Sequence, residues 1–325
     1  MKKIKAGIIG GAGYTGGELL RLLLGHPNTH IEFVYSRSQA GKPVYTIHQD
    51  LLGTTDVLFN ERFDSPVDVL FLCLGHGESK QFLAEHSFDP GVCIIDLTND
   101  FRLGSTATLG DRQFVYGLSE IHRDKLIAAK SIANPGCFAT AIQLALWPLA
   151  KNGTLQEAYV TGITGSTGAG QSLSETTHYS WRANNIQAYK TLTHQHLAEI
   201  GEQLQAAAGL PVAVHFVPWR GNFTRGIFIS ATLRTTLTIQ EATGHFESCY
   251  AAAPFVTISK DPISLKQVVG TNKAILQLEQ QENHLVVHCV IDNLLKGVSG
   301  QAVQNMNLAF GLPETTGLQL KANFF

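Results

Sequence analysis

The most constraining feature of this chain lies near its start. An apolar segment, residues 5–9, runs into Gly10-Gly11-Ala12-Gly13-Tyr14-Thr15-Gly16, and a leucine-rich stretch over 16–25 follows. Leucines at 19, 20, 22, 23 and 24, closed by Gly25-His26-Pro27, mark that stretch as a helix. Strand, glycine loop and helix in this order commit the first part of the chain to a parallel α/β layer. Gly10, Gly13 and Gly16 permit a tight turn and close backbone approach. The helix behind them offers unpaired N–H groups to a pyrophosphate, with Tyr14 and Thr15 in the same loop. The spacing is GxxGxxG rather than GxGxxG, so the flanking strand and helix carry as much weight as the glycines.

Later segments extend the pattern. Residues 31–35, 67–74, 92–97 and 131–133 read as strands and 78–86 as a helix; the run 67–74 suits a buried parallel strand. From about residue 137 the pattern changes. A helix over 137–151 ends at Asn152-Gly153, and strand-like runs follow at 158–163, 212–217, 226–234, 256–258, 274–278 and 285–291. Helices near 197–208 and 240–250 lie between them, and 293–310 reads as a long final helix. The 325 residues are twice the ~150 of one domain. The expected architecture is α/β: a Rossmann-type doubly wound parallel sheet plus a second α+β domain with a mixed, largely antiparallel sheet. Its expected division is 1–136 plus 298–325 for the dinucleotide and 137–297 for catalysis and oligomer contacts.

The end of the second strand chooses the cofactor. A dinucleotide lacking a 2′-phosphate is usually held there by Asp or Glu. Here the residues are Ser36-Arg37-Ser38, a guanidinium flanked by hydroxyls, which favours NADP over NAD. Charge points away from other partners. Lys plus Arg number 24 and Asp plus Glu 26, without the basic excess of a nucleic-acid or membrane-surface protein. No apolar run is long enough to span a bilayer, and the charged start, residues 1–5, leads into a strand rather than a signal peptide. Five scattered cysteines make no disulfide framework, so a cytoplasmic location with reduced thiols is expected.

One thiol stands apart. Asn134-Pro135-Gly136-Cys137 places a cysteine at the mouth of a helix, whose positive end stabilises thiolate and lowers its pKa. A nucleophilic Cys137 competes with a packed, inert one; the polar turn around it favours the first. Cys73, Cys93, Cys249 and Cys289 read as core. His196 and Glu199, three apart at a helix start, can share a face, so His196 is the candidate base and Glu199 its orienting carboxylate. His194 is an alternative base or a substrate contact. His194-Gln195-His196 also has the look of a metal-ligand pair, but no further ligand motif completes a site, so no metal is expected. Gly165-Ser166-Thr167-Gly168-Ala169-Gly170 is a second glycine-rich loop, with Gly168 assigned to the cofactor and Ser166 to the substrate. Arg102, Arg220 and Arg225 offer guanidinium groups to an anionic substrate, and Asn134 joins them on the substrate side.

Taken together these motifs, with Asp96-Leu97-Thr98-Asn99-Asp100-Phe101-Arg102 and Asp292-Asn293-Leu294-Leu295-Lys296-Gly297, resemble the N-acetyl-gamma-glutamyl-phosphate reductases, related to aspartate-semialdehyde dehydrogenases. The resemblance covers nearly the whole chain in family order. It implies NADPH-dependent reduction of an acyl phosphate to an aldehyde through a thioester on Cys137, in arginine biosynthesis. It also implies His196 as base, Asn293 as a nicotinamide-side contact and a homodimer or homotetramer. Two departures stand out: Gln195 where the family often has Arg, and Pro218-Trp219-Arg220 where it has Pro-His-Leu. Arg220 and Arg182 are therefore extra cations, which would suit an N-succinyl rather than an N-acetyl substrate. A related acyl phosphate, a non-catalytic dinucleotide-binding module and a zinc hydrolase are the remaining alternatives.

Overall fold

The computed structural model describes residues 3–325; Met1 and Lys2, part of the charged start, lie outside the described residues. The chain forms two units. The first runs to Pro135 and resumes over Val298–Gln319; the second comprises Gly136–Gly297 and Leu320–Phe325. Gly136 and the last six residues thus fall in the second unit, not the first as expected. The Gly136 amide donates to Glu199 Oε2, and the tail returns because Asn323 N donates to Val269 O at 3.1 Å.

The first unit holds β1 (Ile4–Ile9), β2 (Thr29–Tyr35), β3 (Phe59–Asn60), β4 (Val69–Leu72), β5 (Cys93–Asp96), the small hairpin β6 (Thr108–Leu109) and β7 (Arg112–Gln113), β8 (Val115–Tyr116) and β9 (Ser131–Ala133). Its main sheet has the order β3-β2-β1-β4-β5-β9-β8, and every pairing in it is parallel. Ile8, Ile9, Leu70, Phe71, Ile94 and Ile95 are fully buried, as a parallel sheet covered on both faces requires. The strand order reverses between β1 and β4, the topological switch point where such sheets bind ligands. Helix α1 (Tyr14–Gly25) begins two residues earlier than expected, and α2 (Glu78–Glu85) follows β4. Helix α3 (Ser119–Leu126) escaped the sequence pattern because only Ser119 and Leu126 of it are buried, so it carries no apolar stripe.

The second unit opens with α4 (Cys137–Lys151), then β10 (Glu157–Thr164), the short α5 (Tyr179–Arg182), β11 (Gln187–Ala188), α6 (His196–Ala208), β12 (Ala213–Arg220), β13 (Ile227–Arg234), α7 (Ile239–Tyr250), β14 (Val256–Ser259), β15 (Ala274–Gln281) and β16 (His284–Ile291). Its sheet runs β11-β12-β10-β13-β16-β15-β14, with four of six pairings antiparallel. Side chains alternate: Ala158, Val160 and Gly162 of β10 face inward, where Phe138 of α4 packs on Gly162. Tyr159 and Thr161 point to the other face and are exposed.

The expected final helix is divided. Leu295–Ser299 is a π-turn, and α8 (Gly300–Ala309) continues from it in the first unit. The Gly297 amide donates to Asp292 O at 2.9 Å, which is the wider turn's bond.

Candidate active site

The glycine loop after β1 is shaped by contacts that exclude side chains. Gly10 has φ +80°, and a Cβ there would stand 2.4 Å from the Cys73 carbonyl oxygen. Gly16 lies against the Gly11 backbone, where a Cβ would meet Gly11 Cα at 2.7 Å. Over Gly13, the residue capping α1, the space is open: a Cβ would find nothing closer than Gly10 O at 3.9 Å. Tyr14 and Thr15 form the first turn of α1, whose amides no intrahelical carbonyl reaches. An open cradle over a helix N-terminus fits a dinucleotide's phosphates. Beside it a cavity of about 430 Å³ is lined by Gly10, Tyr35, Ser36, Arg37, Ser38, Phe82, Glu85 and His86 among others. Arg37 and Ser38 are exposed at its wall, whereas Ser36 is buried. The α2 side of this cavity was missed, since Phe82 and His86 read only as a helix face.

The thiol site belongs to the second unit. Cys137 is the first residue of α4 and keeps part of its surface. The other thiols are held neutral by their surroundings. Burial pushes Cys93 up to about 12 and raises Cys289 and Cys249; Cys73 is raised by burial and by the nearby Asp96. Two glycines let other groups close on Cys137. A Cβ on Gly136 would collide with the His196 ring, 2.3 Å from Nε2, so the imidazole lies flat against the residue preceding the thiol. Gly136 has φ −73°, so its missing side chain, not an unusual backbone, is what the site uses. On the other side a Cβ on Gly297 would stand 2.8 Å from Cys137 Cβ. The π-turn brings Gly297 there, and that constraint was not legible in the sequence.

His194, His196 and Glu199 come together around this mouth, all buried. Glu199 stands beside the imidazole and also reaches the turn before the thiol. Its Oε1 stands 3.9 Å from His196 Nε2, a Coulombic separation, while Oε2 accepts the Gly136 amide at 3.2 Å. Glu199 therefore clamps the turn that presents the thiol. His194 Nδ1 accepts the His196 amide at 3.2 Å, and the two rings meet edge to face with centroids 4.7 Å apart. Burial lowers the His194 pKa to about 4, so this ring stays neutral and supports His196. Tyr189, which stacks edgewise on His194 at 5.7 Å, is a further member; burial and the charge of Cys137 raise its phenol.

The expected substrate contacts divide. Asn134 is fully buried in the first unit; its Nδ2 donates to Val298 O and its Oδ1 accepts from Asn305. Arg102, 5% exposed, donates to the carbonyls of Asn134 and Leu97. Arg225 forks onto the buried Asp292 carboxylate at 3.0 and 3.1 Å. These three build the scaffold, because a buried charge or amide is stable only when paired. Asn293 is also buried: its Oδ1 accepts from Gly226 N and its Nδ2 donates to Thr167 Oγ1, so it ties the second glycine loop to β13 rather than presenting a free amide. Ser166 is half-buried and donates its amide to Phe223 O, and Gly168 is exposed. Arg182 and Arg220 stand close to each other, each half-buried. Among the described residues no cluster of three or more His, Cys, Asp or Glu is placed to hold a metal ion, and no helix is long and apolar enough to cross a membrane.

Known proteins carry the same two parts. A family model described as semialdehyde dehydrogenase, NAD binding domain, matches residues 5–129, and one described as semialdehyde dehydrogenase, dimerisation domain, matches 137–293. Aspartate semialdehyde dehydrogenase II of Vibrio cholerae superposes with a TM-score of 0.72 at 19% identity, over 96% of this chain and 99% of that one. The enzyme of Candida albicans, solved with NADP, gives 0.68 at 13% identity, over 94% and 98%. Fold and site thus define a semialdehyde dehydrogenase architecture. Relatives named N-acetyl-gamma-glutamyl-phosphate reductase are far more similar in sequence. That of Christiangramia forsetii is 51% identical and that of Bacteroides thetaiotaomicron 49%, each over 99% of this chain and 100% of its own length. The chain belongs to the N-acetyl-gamma-glutamyl-phosphate reductase family.

Proposed function

We propose that this chain reduces N-acetyl-gamma-glutamyl phosphate to N-acetylglutamate 5-semialdehyde and phosphate with NADPH, a step of arginine biosynthesis, through a thioester on Cys137. The carrying observation is a half-exposed thiol at the first position of α4, with an imidazole and a carboxylate closed around the preceding glycine. Cys137 Sγ attacks the acyl carbon, and the C–O bond to phosphate breaks. Amides of the first turn of α4 receive the developing oxyanion. His196 takes the thiol proton at Nε2 and passes it to the departing phosphate oxygen, so that after hydride addition the oxyanion can collapse to the aldehyde C=O. Neutral His194 holds the His196 backbone, and Glu199 holds Gly136. The dinucleotide, cradled by Gly10, Gly13, Tyr14, Thr15 and Gly16, supplies the hydride when bound, and Arg37 with Ser36 and Ser38 favours the 2′-phosphate form. The C–S bond then breaks and the thiolate is restored.

Phosphate-dependent NADP reduction on the semialdehyde, run in reverse, tests this. The wild-type chain turns over and Cys137→Ser loses ~10⁴-fold or more while still binding NADPH; substantial turnover by that variant would contradict the nucleophile. The chain acts as a homodimer or homotetramer in the cytoplasm. Support comes from the dimerisation-domain match and from the second sheet, where α4, α6 and α7 cover one face and leave Tyr159, 57% exposed, on the other. A single-chain mass in sedimentation would remove that part.

A further inference from the structure

Most arginines here are accounted for by acceptors within the fold. Arg225 is paired with Asp292, Arg123 with Glu314, and Arg21 with Asp50 and Glu18. Arg182 and Arg220 are different. Among the described residues neither pairs with a carboxylate, and each lowers the cost of nothing by standing beside the other; two like charges in partial burial repel. Arg182 Nη2 donates to Gly221 O at 2.8 Å, and Arg220 Nη1 donates to Thr176 Oγ1 at 2.6 Å. A guanidinium has five N–H donors, so most of this pair's capacity is left over. Together with Thr176, Trp181, Asn185 and Gln187 they line a hollow of about 10 Å³, the scale of a single water-sized group.

The hollow is connected to the thiol site by packed rings. The Arg220 guanidinium lies over the Tyr189 ring, 4.7 Å from its centroid. Tyr189 packs on His194 at 5.7 Å, and His194 on His196 at 4.7 Å. Pairing of β11 with β12 sets Gln187 opposite Arg220, which fixes the cation in register with Tyr189 two residues on. Two guanidinium groups held together without an acid make a site for an anion, whose charge offsets their repulsion. The hollow admits about one oxygen atom, and the function proposed above puts a carboxylate, besides the reacting phosphoryl group, on the substrate.

We propose that Arg182 and Arg220 form a carboxylate subsite of the Cys137 site, which grips a carboxylate of the acylated amino-acid substrate. The subsite rests on the function proposed above. Two carboxylates share this chemistry: the α-carboxylate of any N-acylglutamyl substrate, and one ending the acyl group, as in an N-succinyl compound.

Reverse-direction kinetics with N-acetyl- and N-succinyl-glutamate 5-semialdehyde separate them, using wild type, Arg182→Gln, Arg220→Gln and the charge-keeping Arg220→Lys. In the Gln variants KM for the semialdehyde rises about tenfold or more, while kcat and the KM values for NADP and phosphate hold. Arg220→Lys recovers part of the loss, which a merely structural role would not predict. A rise with both aldehydes assigns the α-carboxylate; a rise confined to the N-succinyl compound assigns the acyl end. Unchanged aldehyde KM in both, or a rise in phosphate KM instead, overturns the subsite. Should the Gln variants fail to fold, an unaltered aldehyde KM in Arg220→Lys overturns it equally. Wild type inactive on both aldehydes would sink the proposed function itself, whereas active wild type with unaltered variants removes the subsite alone.

Discussion

Two places in this molecule use nearly the same residue types to opposite ends. At the carboxyl ends of β4 and β5, Cys73 lies near the fully buried Asp96, whose carboxylate accepts from Thr98 Oγ1 and Thr98 N. At the mouth of α4, Glu199 and His196 close on Gly136, the residue before Cys137, with His194 behind His196. In the first place burial raises Asp96 to about 6, and that carboxylate with burial keeps the thiol protonated. In the second the carboxylate bonds to backbone one residue away, and the thiol begins a helix. A carboxylate that faces a sulfur disfavours thiolate, whereas a helix N-terminus favours it, so backbone dipoles matter as much as the neighbours' names.

The largest test of that contrast pairs the two cysteines. Cys73→Ser should keep kcat within about twofold of wild type while Cys137→Ser abolishes turnover. Equal losses would erase the difference between the two places. Next come the glycines. Gly297→Ala puts a methyl where only 2.8 Å separates it from Cys137 Cβ, so kcat should fall ~10–100-fold with dinucleotide affinity unchanged. Normal turnover in that variant, measured alongside NADPH titration, would show that the π-turn does not set the sulfur. On the dinucleotide side, Arg37→Ala should raise KM for NADPH about tenfold and leave KM for NADH alone, since only the former carries the 2′-phosphate. A parallel loss with both cofactors would make Arg37 a general surface charge.

The smallest expected effect is in pH dependence, where the two places have opposite signs. His194 titrates near 4 in the fold and near 6.5 when unfolded. Between those values the unfolded chain takes up a proton that the native site refuses, so acidification weakens the fold. Asp96 is raised from 3.8 to about 6, so in nearly the same window the native site binds the extra proton and acidification favours the fold. His194→Asn keeps an acceptor for the His196 amide yet removes the titration. Its midpoint should drop less than wild type's on moving from pH 6.5 to 4, by on the order of 2–4 °C; identical drops would show that His194 titrates normally.

How much of this was legible beforehand depends on the range of the contact. The glycine loop, the buried strands and a thiol at a helix start are local: each needs only a few neighbouring residues to fix turn, period and cap. His196 with Glu199 was legible as a pair because residues three apart on a helix share a face, but Glu199's bond to the Gly136 amide spans 63 positions and was not. Arg102, Arg225 and Asn293 looked available because an isolated arginine or amide shows no acceptor. Asn134, Asp292, Gly226 and Thr167 supply those hydrogen-bond partners only after the chain has folded back. Arg182 and Arg220 looked the same, and the fold left them without an acid.

By itself, then, the order of residues settled a parallel sheet with a dinucleotide loop, a mixed sheet after it, and which sulfur opens a helix, because period, turn and cap are properties of neighbours along the chain. Tertiary structure alone decided which cations are spent on buried acids and carbonyls, which glycine must yield space to the sulfur, and which histidine is kept neutral. Those outcomes depend on desolvation and on partners brought from distant segments, and neither exists until the core has closed.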